Sequence, residues 1–160
     1  MPRGGLRLRL VSVGRDRDFT KDGVAEYAQR LSRSAELELV ELRAEAGPAA
    51  IEREADAILA AHAGAQSKQK GPAELWALDQ RGVELTSEEL ALRLGRLRDA
   101  GLGLTLCIGG DEGLSPRVRA AARFSWSLSR LTLPHRLARL LVLEQVYRAG
   151  EIQRGSPYHK

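Results

Sequence analysis

SLSRLTLPHRLARLLVLEQVYRA, Ser127 to Ala149, joins a hydroxyl-rich segment, a proline and a histidine to a long run rich in leucine and valine. A run this apolar is a membrane span, a core helix or a subunit contact, and each choice gives the preceding loop a different job. A spanning helix needs roughly 20 uncharged residues, and Arg139 and Glu144 interrupt this one. The run therefore reads as a helix of a folded domain, from near Pro134 to about Gly150. Its apolar positions Leu137, Leu140, Leu141, Val142, Leu143, Val146 and Tyr147 wrap well past the stripe of about 100° that one packing surface requires. One side faces a core and another needs a second cover. A second copy of the chain is the simplest cover, so a two-fold homodimer is expected.

The rest of the chain suits that reading. Its 160 residues are 43% apolar and 29% charged, which fits one globular domain over residues 1–160 and argues against disorder. The opening MPRGGLRLRLVSVG alternates Arg with Leu and never supplies the apolar core of a signal peptide, so a cytoplasmic protein with no membrane contact is expected. Cys107 is the sole cysteine; with LTLCIGG around it, it reads as a core residue, and no thiolate cluster for zinc exists. Charge is unevenly spread: Leu114 to Lys160 holds nine Lys/Arg and two Asp/Glu, while the preceding residues are net negative. A basic C-terminal third points to a polyanion, of which nucleic acid is the commonest.

Periodicity predicts alternating elements. Strands are expected over Leu6–Val13, Leu37–Leu42, Glu74–Asp79, Leu102–Gly110 and Phe124–Ser129, the third ending in an Arg81-Gly82 turn. Helices are expected around Val24–Leu31, over Ala49–Ala63, from the capping box of Thr86 and Glu89 to Ala100, after Pro116, and after Pro134. Gly64–Gly71 reads as a polar, mobile loop. Strands alternating with helices of this length give a three-layer α/β domain around a mainly parallel sheet. Such sheets bind ligands beyond the carboxyl ends of their strands, which nominates the loops after strands three, four and five.

Those loops carry the candidate motifs. Gly101 and Gly103 resemble the start of a dinucleotide fingerprint, but Leu106 stands where a third glycine belongs and the motif precedes a strand. IGGDEGLSP, Ile108 to Pro116, does follow a buried strand; its glycines either admit a ligand close to the backbone or simply make a tight turn. The hydroxyls of Ser127, Ser129 and Thr132 either cap the last helix or belong to a loop that holds a nucleoside, and spacing does not choose between them. His62 lies on an apolar helix face and reads as structural. His135 either caps the helix or orients the ligand loop, and His159 lies in a terminal Tyr-His-Lys. No spacing among the three matches a metal motif, so no metal is expected.

IGGDEGLSP, WSLSRLTLPH, LARLLVLEQVYRA and SPYHK, in that order, resemble the ribosomal RNA large-subunit methyltransferase H family of SPOUT methyltransferases. The likeness runs from the first strand to the last residue. It implies an enzyme that uses S-adenosylmethionine to methylate N3 of a pseudouridine in bacterial 23S rRNA on assembled 70S ribosomes. It also implies a C-terminal trefoil knot, against the general rule that chains avoid knots. By motif, the cofactor-binding residues are Leu78, Gly109, Gly110, Leu128, Ser129, Arg130, Leu131, Thr132 and Leu133. Tyr158 and His159 become the catalytic candidates at the target uridine, His159 as the base, with His135, Arg148, Arg154 and Lys160 on the RNA. Two positions depart from the family pattern: Asp111 and Arg136 stand where proline is frequent. Residues 1–5 exceed the usual start and are expected to be disordered. The alternatives are a noncatalytic ribosome-associated factor of the same fold, or a SPOUT methyltransferase acting on another RNA site.

Overall fold

The computed structural model describes residues 4–15, 17–66 and 70–160. Among them, β1 (Leu6–Val13), α1 (Thr20–Leu31), β2 (Ala35–Leu42), α2 (Ala50–Ala65), β3 (Ala73–Glu84), α3 (Ser87–Asp99), β4 (Gly103–Ile108), α4 (Pro116–Ala121), β5 (Phe124–Ser127) and α5 (His135–Gln153) alternate strictly. The strands form one sheet in the order β2-β1-β4-β3-β5, and every pairing is parallel. Of the expectation for residues 1–5, positions 1–3 lie outside the described residues, as do positions 67–69 of the polar loop.

Side-chain alternation explains the layers. In β1, Leu6, Leu8 and Leu10 join one core with Val24 and Leu31 of α1, Leu90 and Leu94 of α3, and Val142, Leu143 and Val146 of α5. Val11 and Val13 turn to the opposite face and pack with Ala55 and Ile58 of α2 and Val118 of α4. Arg7 and Arg9 share that second face near its end. The Arg9 guanidinium donates to the Ala61 carbonyl at 2.6 Å near the C-terminus of α2, where the helix dipole favours a cation, and pairs with Glu38 at 2.7 Å. β4 is buried at every position, as a central parallel strand should be. β2, at an edge, is only half-buried.

Three local details shape the site. α3 begins with the expected capping box: Thr86 Oγ1 accepts from the Glu89 amide at 3.0 Å and Glu89 Oε2 accepts from the Thr86 amide at 2.7 Å. The Arg81-Gly82 pair does not end β3 as expected. The strand bulges between Leu78 and Val83 and then pairs again with β5, Val83 opposite Trp126 and Glu84 opposite Ser127. Gly82 permits this, because a Cβ there would lie 2.5 Å from the Ser125 carbonyl oxygen. Finally, α5 starts at His135 behind Pro134 with no side-chain cap. The capping reading of the hydroxyls and of His135 therefore gives way: Ser129 Oγ accepts from the Leu131 amide at 3.0 Å, and Thr132 Oγ1 donates to Gln80 Oε1 at 3.1 Å, so both brace the loop itself. α5 then settles between α1 and α3, which absorb much of its wide apolar surface.

Candidate functional site

Beyond the carboxyl ends of β3, β4 and β5 the three nominated loops meet around a cleft of about 360 Å³, within the usual range for small-molecule sites. Leu78 closes its floor with Ile108, Leu114 and Ala138. Gly109 and Gly110 form one wall, and Leu128, Ser129, Leu131, Thr132 and Leu133 form the other. The glycine wall folds tightly, with the Gly113 amide donating to the Gly110 carbonyl at 3.0 Å. A Cβ on Gly109 would lie 2.5 Å from the Gly113 backbone, and Gly113 itself takes φ +76°. Of the cofactor-binding residues named from the sequence, Arg130 alone does not line the cleft; its side chain extends into solvent near Glu84, 3.7 Å away.

Of the charged residues of the cleft, Asp79, Arg81 and Glu112 carry no site role in the sequence reading, and Asp111 enters it only as a departure from the family pattern. Asp79 follows Leu78 at the bulge and is 10% exposed. It accepts from the Arg81 amide at 2.9 Å and from the Arg81 guanidinium at 3.2 and 3.1 Å, and Arg119 reaches it at 3.5 Å. Burial pushes the Asp79 carboxyl up, but the hydrogen bonds from Arg81 and the charges of Arg81 and Arg119 outweigh it and hold the group below the ordinary range. Asp111 and Glu112 rim the glycine wall, so three carboxylates face one lining arginine in a protein that is basic overall. His135 lines the cleft with Nδ1 3.5 Å from Asp111 Oδ1. His62 and Cys107 stay structural. His62 Nδ1 sits 2.9 Å from Thr105 Oγ1, and desolvation, then Arg9, lowers its basicity.

Tyr158 and His159 lie elsewhere on their own chain. Tyr158 packs its ring edge-on against Tyr147, with centroids 4.9 Å apart, and its hydroxyl donates to Glu144 at 3.2 Å beside the Tyr27 hydroxyl at 3.3 Å. His159 is held between Glu88 at 2.9 Å and Arg148 at 3.2 Å. Arg148 pairs with Glu144 at 2.7 Å, Arg154 contacts Glu151, and Lys160 is exposed. Burial, then the Tyr27 hydroxyl and the Glu144 carboxylate, hold the Tyr158 phenol above its ordinary range, which suits a hydrogen-bond donor rather than a base. Glu144 stands nine residues along α5 from His135, about 14 Å at the helical rise. The tail and the cleft of one chain are therefore separate places. Among the described residues no helix is long and apolar enough to cross a membrane, and no group of three or more His, Cys, Asp or Glu could hold a metal ion.

Comparison with known proteins assigns the chain to a family. The family model described as "Predicted SPOUT methyltransferase" matches residues 6–159. A ribosomal RNA large subunit methyltransferase H from Anaeromyxobacter sp. (strain Fw109-5) is 47% identical, covering 97% of this chain and 100% of its own. The protein of the same name from Psychrobacter sp. (strain PRwf-1) is 42% identical, over 97% and 99%. Among solved structures, a methylase family protein from Neisseria gonorrhoeae superposes with TM-score 0.53 at 15% identity, covering 97% of this chain and 85% of that one, a likeness of fold. The match takes in all five strands, both cleft walls and the tail, and the chain belongs to the SPOUT methyltransferase family.

Proposed function

We propose that this protein transfers a methyl group from S-adenosylmethionine to N3 of a pseudouridine in 23S rRNA, acting in the cytoplasm on assembled 70S ribosomes as a homodimer. The observation that carries the reading is the meeting of IGGDEG and SLSRLTL across one cleft, in a chain so similar over its length to proteins named for ribosomal RNA methylation. The cleft fits the donor. Leu78, Ile108, Leu114 and Ala138 offer an apolar floor for an adenine ring, the backbone of 109–110 and 128–133 offers hydrogen bonds, and Asp79, Asp111 and Glu112 complement a cation. Bound there, S-adenosylmethionine supplies an electrophilic methyl group on a sulfonium. The residues around it hold the two reactants in line, an effect worth up to about 7–11 kcal/mol in ideal cases.

The tail belongs to the same proposal. Tyr158, His159, Arg148, Arg154 and Lys160 position the RNA, and because they are moored about 14 Å along α5 from their own cleft, they serve the cleft of the partner. The exposed apolar residues Phe19, Leu131 and Leu141 support a covering second copy beside the cleft rim. The whole chain forms one catalytic domain, and the segment 128–133 belongs to its trefoil knot; Thr132 ties that segment to the bulged part of β3 through Gln80. The test is incubation with methyl-tritiated S-adenosylmethionine and 70S ribosomes, 50S subunits or free 23S rRNA lacking the modification. Label is expected at a pseudouridine N3, with 70S ribosomes the preferred substrate. Ribosome binding without label on any substrate would overturn the reading in favour of a noncatalytic factor.

A further inference from the structure

A second cleft of about 400 Å³ adjoins the first, beyond the ends of β1 and β2. Val13, Gly14, Arg15, Arg17, Ile51 and Arg136 are among its lining residues. The wall it shares with the donor cleft is built from Gly110, Asp111, Glu112 and His135. His135 thus faces both spaces. Its two nitrogens differ: Nδ1 stands 3.5 Å from the Asp111 carboxylate, whereas Nε2 has no hydrogen-bond partner among the described residues. Nε2 lies against Gly14, where a Cβ would come within 3.3 Å of it. Gly14 has φ +97°, so the backbone itself selects glycine and leaves the place beside Nε2 free for a hydrogen-bonding group of a ligand.

We propose that the second cleft receives the target nucleotide and that His135 Nε2 accepts the N3 proton as methyl transfer proceeds. The inference rests on the methyltransferase reading above. N3 of the base needs to lose a proton to become a nucleophile, and an imidazole is the side chain suited to take it near neutral pH. The N3–H bond breaks toward Nε2, giving an imidazolium. The N3–C bond forms while the C–S bond of the donor breaks, its electron pair staying on sulfur to leave a neutral thioether. One positive charge leaves sulfur and one arises on His135, beside Asp111, so the charge at the wall between the clefts is balanced. Arg15, Arg17 and Arg136 line the second cleft together with Glu45 and Glu54; Arg136 pairs with Asp18 at 3.4 Å and Glu54 accepts from the Glu45 amide at 3.0 Å, so Arg15 and Arg17 are the cations offered to the phosphates that flank a nucleotide. Asp111, 3.5 Å from Nδ1, gives His135 a carboxylate that orients the ring.

His135→Ala is expected to lower the turnover number on 70S ribosomes by about 10² to 10⁴, the usual weight of general-base assistance. The S-adenosylmethionine Kd, from calorimetry, and the ribosome Kd, from sedimentation, should stay within about threefold, and added imidazole should restore turnover at least about tenfold. Should the alanine variant fail to fold, His135→Gln, of similar reach and polarity, takes its place with the same expectation. Arg15→Ala combined with Arg17→Ala should weaken ribosome binding several-fold without changing donor affinity. A folded His135 variant that keeps full turnover, or a slow one that imidazole does not rescue, overturns the assignment. Rescue by imidazole in His159→Ala but not in His135→Ala would move the proton acceptor to the tail. Wild-type protein that labels no RNA refutes the methyltransferase reading itself, a distinct failure.

Discussion

Cys107 and Asp79 show how one residue acquires its character from its neighbours. Cys107 is fully buried in β4, its Sγ donating to the Trp76 carbonyl at 3.5 Å, and burial pushes its thiol up to about 12. The thiolate, the reactive form, is therefore scarce at pH 8 in the folded protein and becomes abundant when unfolding returns the thiol to its ordinary range. Disulfide-exchange labelling at pH 8 should run at least about 100-fold slower in native protein than in denaturant, and equal rates would contradict the buried placement. The inert character of Cys107 was legible from LTLCIGG, because apolar neighbours on a continuous strand imply burial. Asp79 was not legible. Its carboxylate gains meaning from Arg81 across the bulge and from Arg119 on α4, forty positions away, and no local pattern links the three. The position of Asp79 at the end of a parallel strand was the signal available, and it pointed to the loop rather than to the side chain.

Elements were read well where one period or one cap governs them. The alternation of Leu6, Leu8 and Leu10, the capping box of α3 and the unbroken apolarity of β4 each map onto the structure. Gly101 stops α3 with φ +72°, and Pro116 opens α4 as a first-turn proline should. Element reading failed where a long-range pairing overrides a local signal. Arg81-Gly82 has the composition of a turn, yet β5 draws the chain back into the sheet, so β3 runs to Glu84 and carries a bulge in place of an end. The β5 strand is shorter than FSWSLS suggested, because the Ser127 hydroxyl turns to donate to the Ser129 carbonyl at 2.9 Å and breaks the ladder. Both surprises fall at the cleft, where the fold gives up regularity to make room between its loops.

Assembly is where sequence reasoning had least to hold. The apolar width of α5 in the sequence asks for a partner, but α1 and α3 meet most of it within one chain. Leu140 packs over Gly23 so closely that a Cβ there would lie 2.9 Å from its methyl carbon. Leu141 is exposed, with Phe19 and Leu131 exposed as well, so the proposed contact uses a smaller patch than the helix pattern implied. Leu141→Glu is expected to give a monomer by light scattering that still binds S-adenosylmethionine but transfers no methyl group, since its cleft lacks the partner's tail. A monomer with full activity would contradict the shared site. The docking of Tyr158 on Tyr27 and Glu144 could not be read beforehand either, because its hydrogen bonds join positions 131 and 14 residues apart that only the tertiary fold brings together.

In the proposed function the methyl donor binds in the cleft between the glycine wall and the Ser127–Leu133 loop. Hydrogen exchange followed by mass spectrometry, with and without saturating S-adenosylmethionine, reads this at the level of peptides. Slowed exchange is predicted in peptides covering 78–82, 108–114 and 128–133, with little change in those covering 6–10 and 36–38, which line a smaller cavity at the opposite end of the sheet. Protection at 6–10 and 36–38 with none at 108–114 or 128–133 would contradict it.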